Sequence, residues 1–163
     1  MLSELQLELK NQLERFCADV IEPHMEEDDK NENFRMDIFN KIGELGLSGV
    51  TLPEQYGGAG LDQISYGIIM QELERGDSAV RSAASVQGSL VMYPIYKFGS
   101  EEQRMKYLPK LASGEMIGCF GLTEPDHGSN PGGMETKFKD MGDHYLLNGA
   151  KMWISNAPFA DVA

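Results

Sequence analysis

Two short segments about thirty residues apart hold the side chains best suited to chemistry. The first, Phe120-Gly121-Leu122-Thr123-Glu124-Pro125-Asp126-His127-Gly128-Ser129-Asn130, reads as a strand running into a turn broken by Pro125 and Gly128. Such a turn presents backbone N–H groups and the hydroxyls of Thr123 and Ser129 at one strand end, an edge that faces an anion well. A plain β-turn would account for the same residues. The second segment, Lys151-Met152-Trp153-Ile154-Ser155-Asn156, places the chain's only Trp two residues from a hydroxyl. On a strand the period of two turns Trp153 and Ser155 toward one face.

Other chemistries are poorly provided for. No Gly-x-Gly-x-x-Gly follows a strand and no Gly-Lys-Ser/Thr occurs, so the two common nucleotide cradles are missing. His24, His127 and His144 lack ligand spacing and read as solvent-facing. Cys17 and Cys119 are too few and too far apart for a disulfide framework or a metal knuckle, which fits a reducing compartment. A net charge of −12 argues against a nucleic-acid binder, whose affinity comes from clustered Lys and Arg. A content of 41% hydrophobic and 25% charged residues fits a soluble globular chain. The start, Met1-Leu2-Ser3-Glu4, lacks a basic and then apolar stretch, and no long apolar run follows, so neither signal peptide nor membrane span is expected. The expected location is the bacterial cytoplasm, and a matured chain of the mitochondrial matrix would read the same.

The elements that must position these segments begin with helices. Leu5, Leu9, Leu13, Phe16 and Val20 keep a helical period behind a Ser3-x-x-Gln6 capping box, and Pro23 is expected to end that helix. The acidic Glu26-Glu27-Asp28-Asp29 then reads as a solvated connection. A second helix is expected over Phe34 to Leu45, closed by Gly46, and a loop over Pro53 to Gly60. Asp62 caps a third helix burying Ile64, Ile68, Ile69 and Leu73. Asp77 or Ser78 caps a fourth that runs to about Met92 before Pro94 bends or ends it. Ser100-x-x-Gln103 opens a last helix with Tyr107, Leu108 and Leu111 on its apolar side and Gly114 beyond its end.

From Glu115 the period falls to two, with strands expected at Met116 to Thr123, Thr136 to Lys139, His144 to Leu147 and Lys151 to Ser155. Asn148-Gly149 is the strongest hairpin signal, since both residues tolerate positive φ. The fold class expected is α+β: an N-terminal all-α domain over 1–114, then the start of a β-barrel over 115–163. Four strands make a small sheet core, so a natural chain that continues is expected.

In order along the chain, Pro53-Glu54-Gln55-Tyr56-Gly57-Gly58-Ala59-Gly60, Gly99-Ser100-Glu101-Glu102-Gln103 to Leu108-Pro109, Leu122-Thr123-Glu124-Pro125 and Asn148-Gly149-x-Lys151-x-Trp153-Ile154 resemble the acyl-CoA dehydrogenase family. The resemblance implies a helical N-terminal domain, a middle β-barrel and a C-terminal four-helix domain, with FAD held between them and an acyl-CoA thioester against the flavin. It assigns Phe120, Gly121, Leu122 and Thr123 to the flavin pyrimidine edge, Gly128 and Ser129 to the FAD pyrophosphate and the CoA side, Trp153 and Ile154 to the flank of the isoalloxazine, and the Ser155 hydroxyl to its central-ring nitrogen. Asn130 departs from the pattern by standing where the family's Gly-Ser-Asp version has Asp.

Glu74-Arg75-Gly76-Asp77-Ser78-Ala79-Val80-Arg81-Ser82 and the residues to Gln87 resemble the glutaryl-CoA branch, as do Cys119-Phe120-Gly121-Leu122 and Met134-Glu135-Thr136. In that branch the positions of Glu74, Arg81 and Ser82 meet the distal carboxylate of the acyl chain. Physically, an Arg among Ala, Ser and Val is costly to bury without an anion, which a dicarboxylic acyl group supplies, although an ordinary pair with Glu74 or Asp77 would also serve. The resemblance further implies electron-transfer flavoprotein as acceptor, a homotetramer, and a catalytic Glu in the C-terminal domain. No residue here matches that Glu, and Glu124 reads as a turn residue, so these 163 residues alone are expected to be inactive. The alternatives are a dehydrogenase of short or branched monocarboxylic acyl-CoA, or a non-catalytic interaction module.

Overall fold

The computed structural model describes all 163 residues. Seven α-helices come first: α1 (Glu4–Phe16), α2 (Glu22–Lys30), α3 (Met36–Glu44), α4 (Gln63–Gly76), α5 (Ser78–Ser85), α6 (Tyr93–Phe98) and α7 (Glu101–Ser113). A two-stranded antiparallel sheet follows, β1 (Lys137–Asp140) pairing with β2 (Tyr145–Asn148) in the register Lys137 to Asn148 and Asp140 to Tyr145. The start signals work as the local chemistry demands. Both capping boxes form, at Ser3 with Gln6 and at Ser100 with Gln103. Asp62 and Asp77 accept the Ser65 and Val80 N–H groups at 2.7 and 2.9 Å.

Pro23 does not end the first helix, which passes through a π-turn at Cys17–Ile21 and continues as α2 to Lys30. The wider turn lets Glu22 N–H bond to Cys17 C=O, five residues back, and relieves the crowding a proline ring imposes on the preceding turn. The acidic residues 26–29 are therefore helical rather than a connection. The device recurs at Val86–Met92: Tyr93 N–H bonds to Gly88 C=O, and α6 carries Pro94 in its first turn. The fourth helix thus runs on to Phe98.

Two large cores and a smaller cluster of Phe39, Ala83 and Ile117 hold the helices. Leu13, Cys17 and Ile21 pack on Ile38, Ile42, Ile69 and Leu73, while Leu52, Tyr56, Val91 and Met92 pack on Leu108 and Leu111. Burial pushes the Cys17 thiol up to about 11, so it sits there as a neutral, inert group. Leu5 and Ile64, expected on apolar faces, are 63% and 57% exposed. Gly58 is required where the 53–60 loop folds back, because a Cβ there would lie 1.9 Å from the Leu52 carbonyl oxygen.

The β expectations are only partly met. Residues 116–123 and 151–155 run without ladder pairing, apart from a single bridge between Gly118 and Val162. Asn148-Gly149 turns no hairpin, because residues 151–155 do not pair back on β2; the one hairpin joins β1 to β2 through residues 141–144, where Gly142 takes positive φ and donates its N–H to Asp140 Oδ1 at 2.8 Å. Asn148 is spent as the last residue of β2, opposite Lys137. No helix is long and apolar enough to cross a membrane.

Candidate functional site

The segments 120–123 and 151–156 lie side by side. Met152 N–H donates to Thr123 C=O at 2.9 Å, and the Lys151 ammonium donates to Leu122 C=O at 3.0 Å. Trp153 is not on a regular strand. Its φ of 60° rotates it out of the extended region, so the period-two argument for a face shared with Ser155 does not apply. The indole is 85% exposed, and Phe120, Leu122 and Ser155 are exposed beside it. The backbone N–H groups of Phe120, Gly121, Leu122 and Thr123, and those of Trp153, Ile154 and Ser155, make no hydrogen bond within the chain. An open edge results, with consecutive unpartnered donors on one segment and an aromatic face on the other.

Gly128 and Ser129 are exposed just after a tight turn, in which Glu124 and His127 exchange N–H to C=O bonds at 3.2 Å. No hydrogen bond joins Ser129 to the edge. Helix α5 is tied in through Asn156, whose Nδ2 donates to Ala83 C=O at 3.3 Å and Gly118 C=O at 3.2 Å. Two residues back on α5, the Arg81 guanidinium pairs through Nε with Glu74, whose other oxygen accepts the Ser78 hydroxyl at 2.8 Å. The Arg81 guanidinium, and after it the Ser78 hydroxyl, hold the Glu74 carboxyl below its ordinary range. The terminal nitrogens of Arg81 and the half-buried Ser82 hydroxyl make no hydrogen bond within the chain.

The residue types around Glu124 announce only a turn. Glu124 is in the turn, but it is also 5% exposed and joins three segments. Its carboxylate accepts Glu135 N–H at 2.7 Å, Thr136 N–H at 2.9 Å and the Lys151 ammonium at 2.9 Å. The Thr136 hydroxyl, buried without a well-formed hydrogen bond of its own, the Glu135 N–H and Lys151 hold that carboxyl far below the usual carboxylate range. Gln87 was also missed as a joint. It is fully buried, donates to Leu111 C=O and Met116 C=O at 2.9 and 2.8 Å, and accepts Gly118 N–H at 2.9 Å. A Gln amid apolar helix residues was the available signal.

This arrangement of helices, open edge and turn is that of a family: the chain belongs to the acyl-CoA dehydrogenases. Residues 3–115 match the family's N-terminal domain and residues 119–163 its middle domain. Among curated relatives, a probable acyl-CoA dehydrogenase of Bacillus subtilis, YngJ, is 44% identical over 161 residues, covering 98% of this chain and 42% of the relative. Mitochondrial isovaleryl-CoA dehydrogenase of Pongo abelii is 38% identical over 163 residues, covering 99% of this chain and 38% of its own length. Among solved structures, a glutaryl-CoA dehydrogenase from Mycobacterium smegmatis in complex with FADH2 is 44% identical with a TM-score of 0.95, covering 98% of this chain and 41% of that one. The chain thus spans about two fifths of the length of the relatives it matches.

Proposed function

We propose that these residues serve an FAD-dependent dehydrogenase that removes an α proton and a β hydride from a glutaryl-type CoA thioester, with loss of carbon dioxide to give crotonyl-CoA. The observation that carries the reading is the run of unpartnered N–H groups from Phe120 to Thr123 beside the exposed Trp153. The donor set fits a flavin, whose pyrimidine ring offers oxygen and nitrogen acceptors along one edge and whose ring faces take aromatic contact. FAD, when bound, supplies the hydride acceptor.

The chain's own groups have defined tasks in this reading. The N–H groups of Leu122 and Thr123, with the Thr123 and Ser155 hydroxyls, oppose negative charge that develops on the acceptor, and being fixed beforehand they need no reorganisation. Trp153 and Ile154 would flank the ring and exclude water, and Gly128 and Ser129 would meet the pyrophosphate and CoA. Arg81 receives the distal carboxylate with its free fork, Ser82 adds a hydroxyl, and Glu74 holds the guanidinium in place through Nε alone. A helical domain of 1–114 leading into a β domain from 115, electron-transfer flavoprotein as acceptor, a homotetramer and a catalytic Glu outside these residues complete the proposal.

A second reading, dehydrogenation of a branched or short monocarboxylic acyl-CoA, is favoured by one observation: Arg81 already has its counter-ion in Glu74. Purification of the protein at the relatives' full length decides between them. The proposal expects stoichiometric FAD released on denaturation, and dye-linked turnover of glutaryl-CoA exceeding that of isovaleryl-CoA and butyryl-CoA, with crotonyl-CoA as product. Absence of FAD, or preference for isovaleryl-CoA, contradicts it.

A further inference from the structure

Lys151 does more than neutralise Glu124. Its side chain is 23% exposed, and its ammonium bridges the Glu124 carboxylate at 2.9 Å and the Leu122 carbonyl oxygen at 3.0 Å. That oxygen and the Thr123 N–H belong to the same peptide group. An ammonium bonded to the oxygen of an amide draws electron density toward it and leaves the N–H a stronger donor, because hydrogen bonds in series polarise one another. The Thr123 N–H is one of the donors left without a partner on the open edge, while the Thr123 carbonyl is occupied by Met152 N–H. Glu124 in turn is fixed by the N–H groups of Glu135 and Thr136, so the ammonium is carried on a rigid support.

We infer that Lys151 is a positioning residue whose ammonium, held by Glu124 against the Leu122 carbonyl, strengthens the Thr123 N–H toward an acceptor that gains negative charge on the open edge. The inference takes its ligand, the flavin, from the proposed function. A purely structural clamp would need only a side chain that fills the same space. The polarising role needs a charged donor on that one oxygen, so the two are separable by substitution.

Lys151→Met and Lys151→Arg are compared with the wild type in two measurements. In the full-length holoenzyme, the flavin midpoint potential is read by dye equilibration. Lys151→Met is expected to reduce the preference for reduced over oxidised flavin about tenfold, equivalent to a midpoint about 30 mV lower for a two-electron couple, and Lys151→Arg to restore most of it. In the full-length protein stripped of cofactor and labelled with 15N at threonine, the Thr123 amide nitrogen is expected to shift upfield in NMR in Lys151→Met and to stay near its wild-type position in Lys151→Arg. An unchanged midpoint and an unchanged Thr123 shift in Lys151→Met overturn the inference, and so does an equal loss in both variants. A wild type that holds no flavin instead overturns the functional reading, and the Thr123 shift still decides whether Lys151 polarises the peptide.

Discussion

Glu74 grips Arg81 through Nε across the α4–α5 junction and leaves both terminal nitrogens of the guanidinium without a partner. Such a pair presents a preformed fork while offsetting its charge when no ligand is present. Arg81→Ala in the full-length protein is expected to lower kcat/KM for glutaryl-CoA at least about thirtyfold, mostly through KM, and to leave butyryl-CoA nearly unaffected. Arg81→Lys should recover part of the loss, because an ammonium keeps the charge without two parallel donors. Equal harm to both substrates in steady-state kinetics would make the pair purely structural.

Gln87 joins α7 to the start of the extended segment by three hydrogen bonds to backbone groups at Leu111, Met116 and Gly118. Methionine would fill the space but strand those groups, and a buried backbone group without a partner costs more than the bond itself is worth. Gln87→Met is expected to lose about 2–4 kcal/mol, seen in urea titrations as a lower midpoint with an unchanged slope. A loss below about 0.5 kcal/mol would mean that water reaches those groups.

The Glu124 carboxyl titrates far below its ordinary value of 4.5 in the folded chain. A depressed folded value adds stability that is complete above the unfolded value and lost as the pH falls through the folded one. Protection of the Glu135 and Thr136 amides in hydrogen exchange, corrected for intrinsic rates, is therefore expected to hold above about pH 5 and to fall progressively in stronger acid. Glu124→Gln should weaken that protection near neutral pH and abolish its acid dependence. A variant that retains the wild-type acid dependence would assign it to another group.

What was legible in the sequence was local. Asp62, Asp77 and the two capping boxes act on N–H groups three residues away, so the residue types alone announce them. Pro23 misled because a π-turn can absorb a proline, and nothing in the spacing of Leu9, Leu13 and Phe16 reveals that extra residue. Asn148-Gly149 misled because the segment after it lies along residues 122–123, through Met152 N–H and the Lys151 ammonium, and does not fold back on β2. The open edge was found through residue types and resemblance. Its supports were not, because Glu124 meets Thr136 and Lys151, and Gln87 meets Gly118, at separations of 12 to 31 residues that no local pattern encodes. The positive φ of Trp153 was likewise invisible, since a bulky residue rarely adopts it and no neighbour signals it.

The central claim is that the edge formed by Phe120–Thr123 and Trp153–Ser155 holds a flavin that takes electrons from a dicarboxylic acyl-CoA, and anaerobic titration of the full-length holoprotein tests it most directly. One equivalent of glutaryl-CoA is expected to bleach the visible flavin absorbance, with isovaleryl-CoA and butyryl-CoA bleaching it far more slowly. A colourless protein, or a flavin that isovaleryl-CoA bleaches and glutaryl-CoA leaves oxidised, would contradict the account.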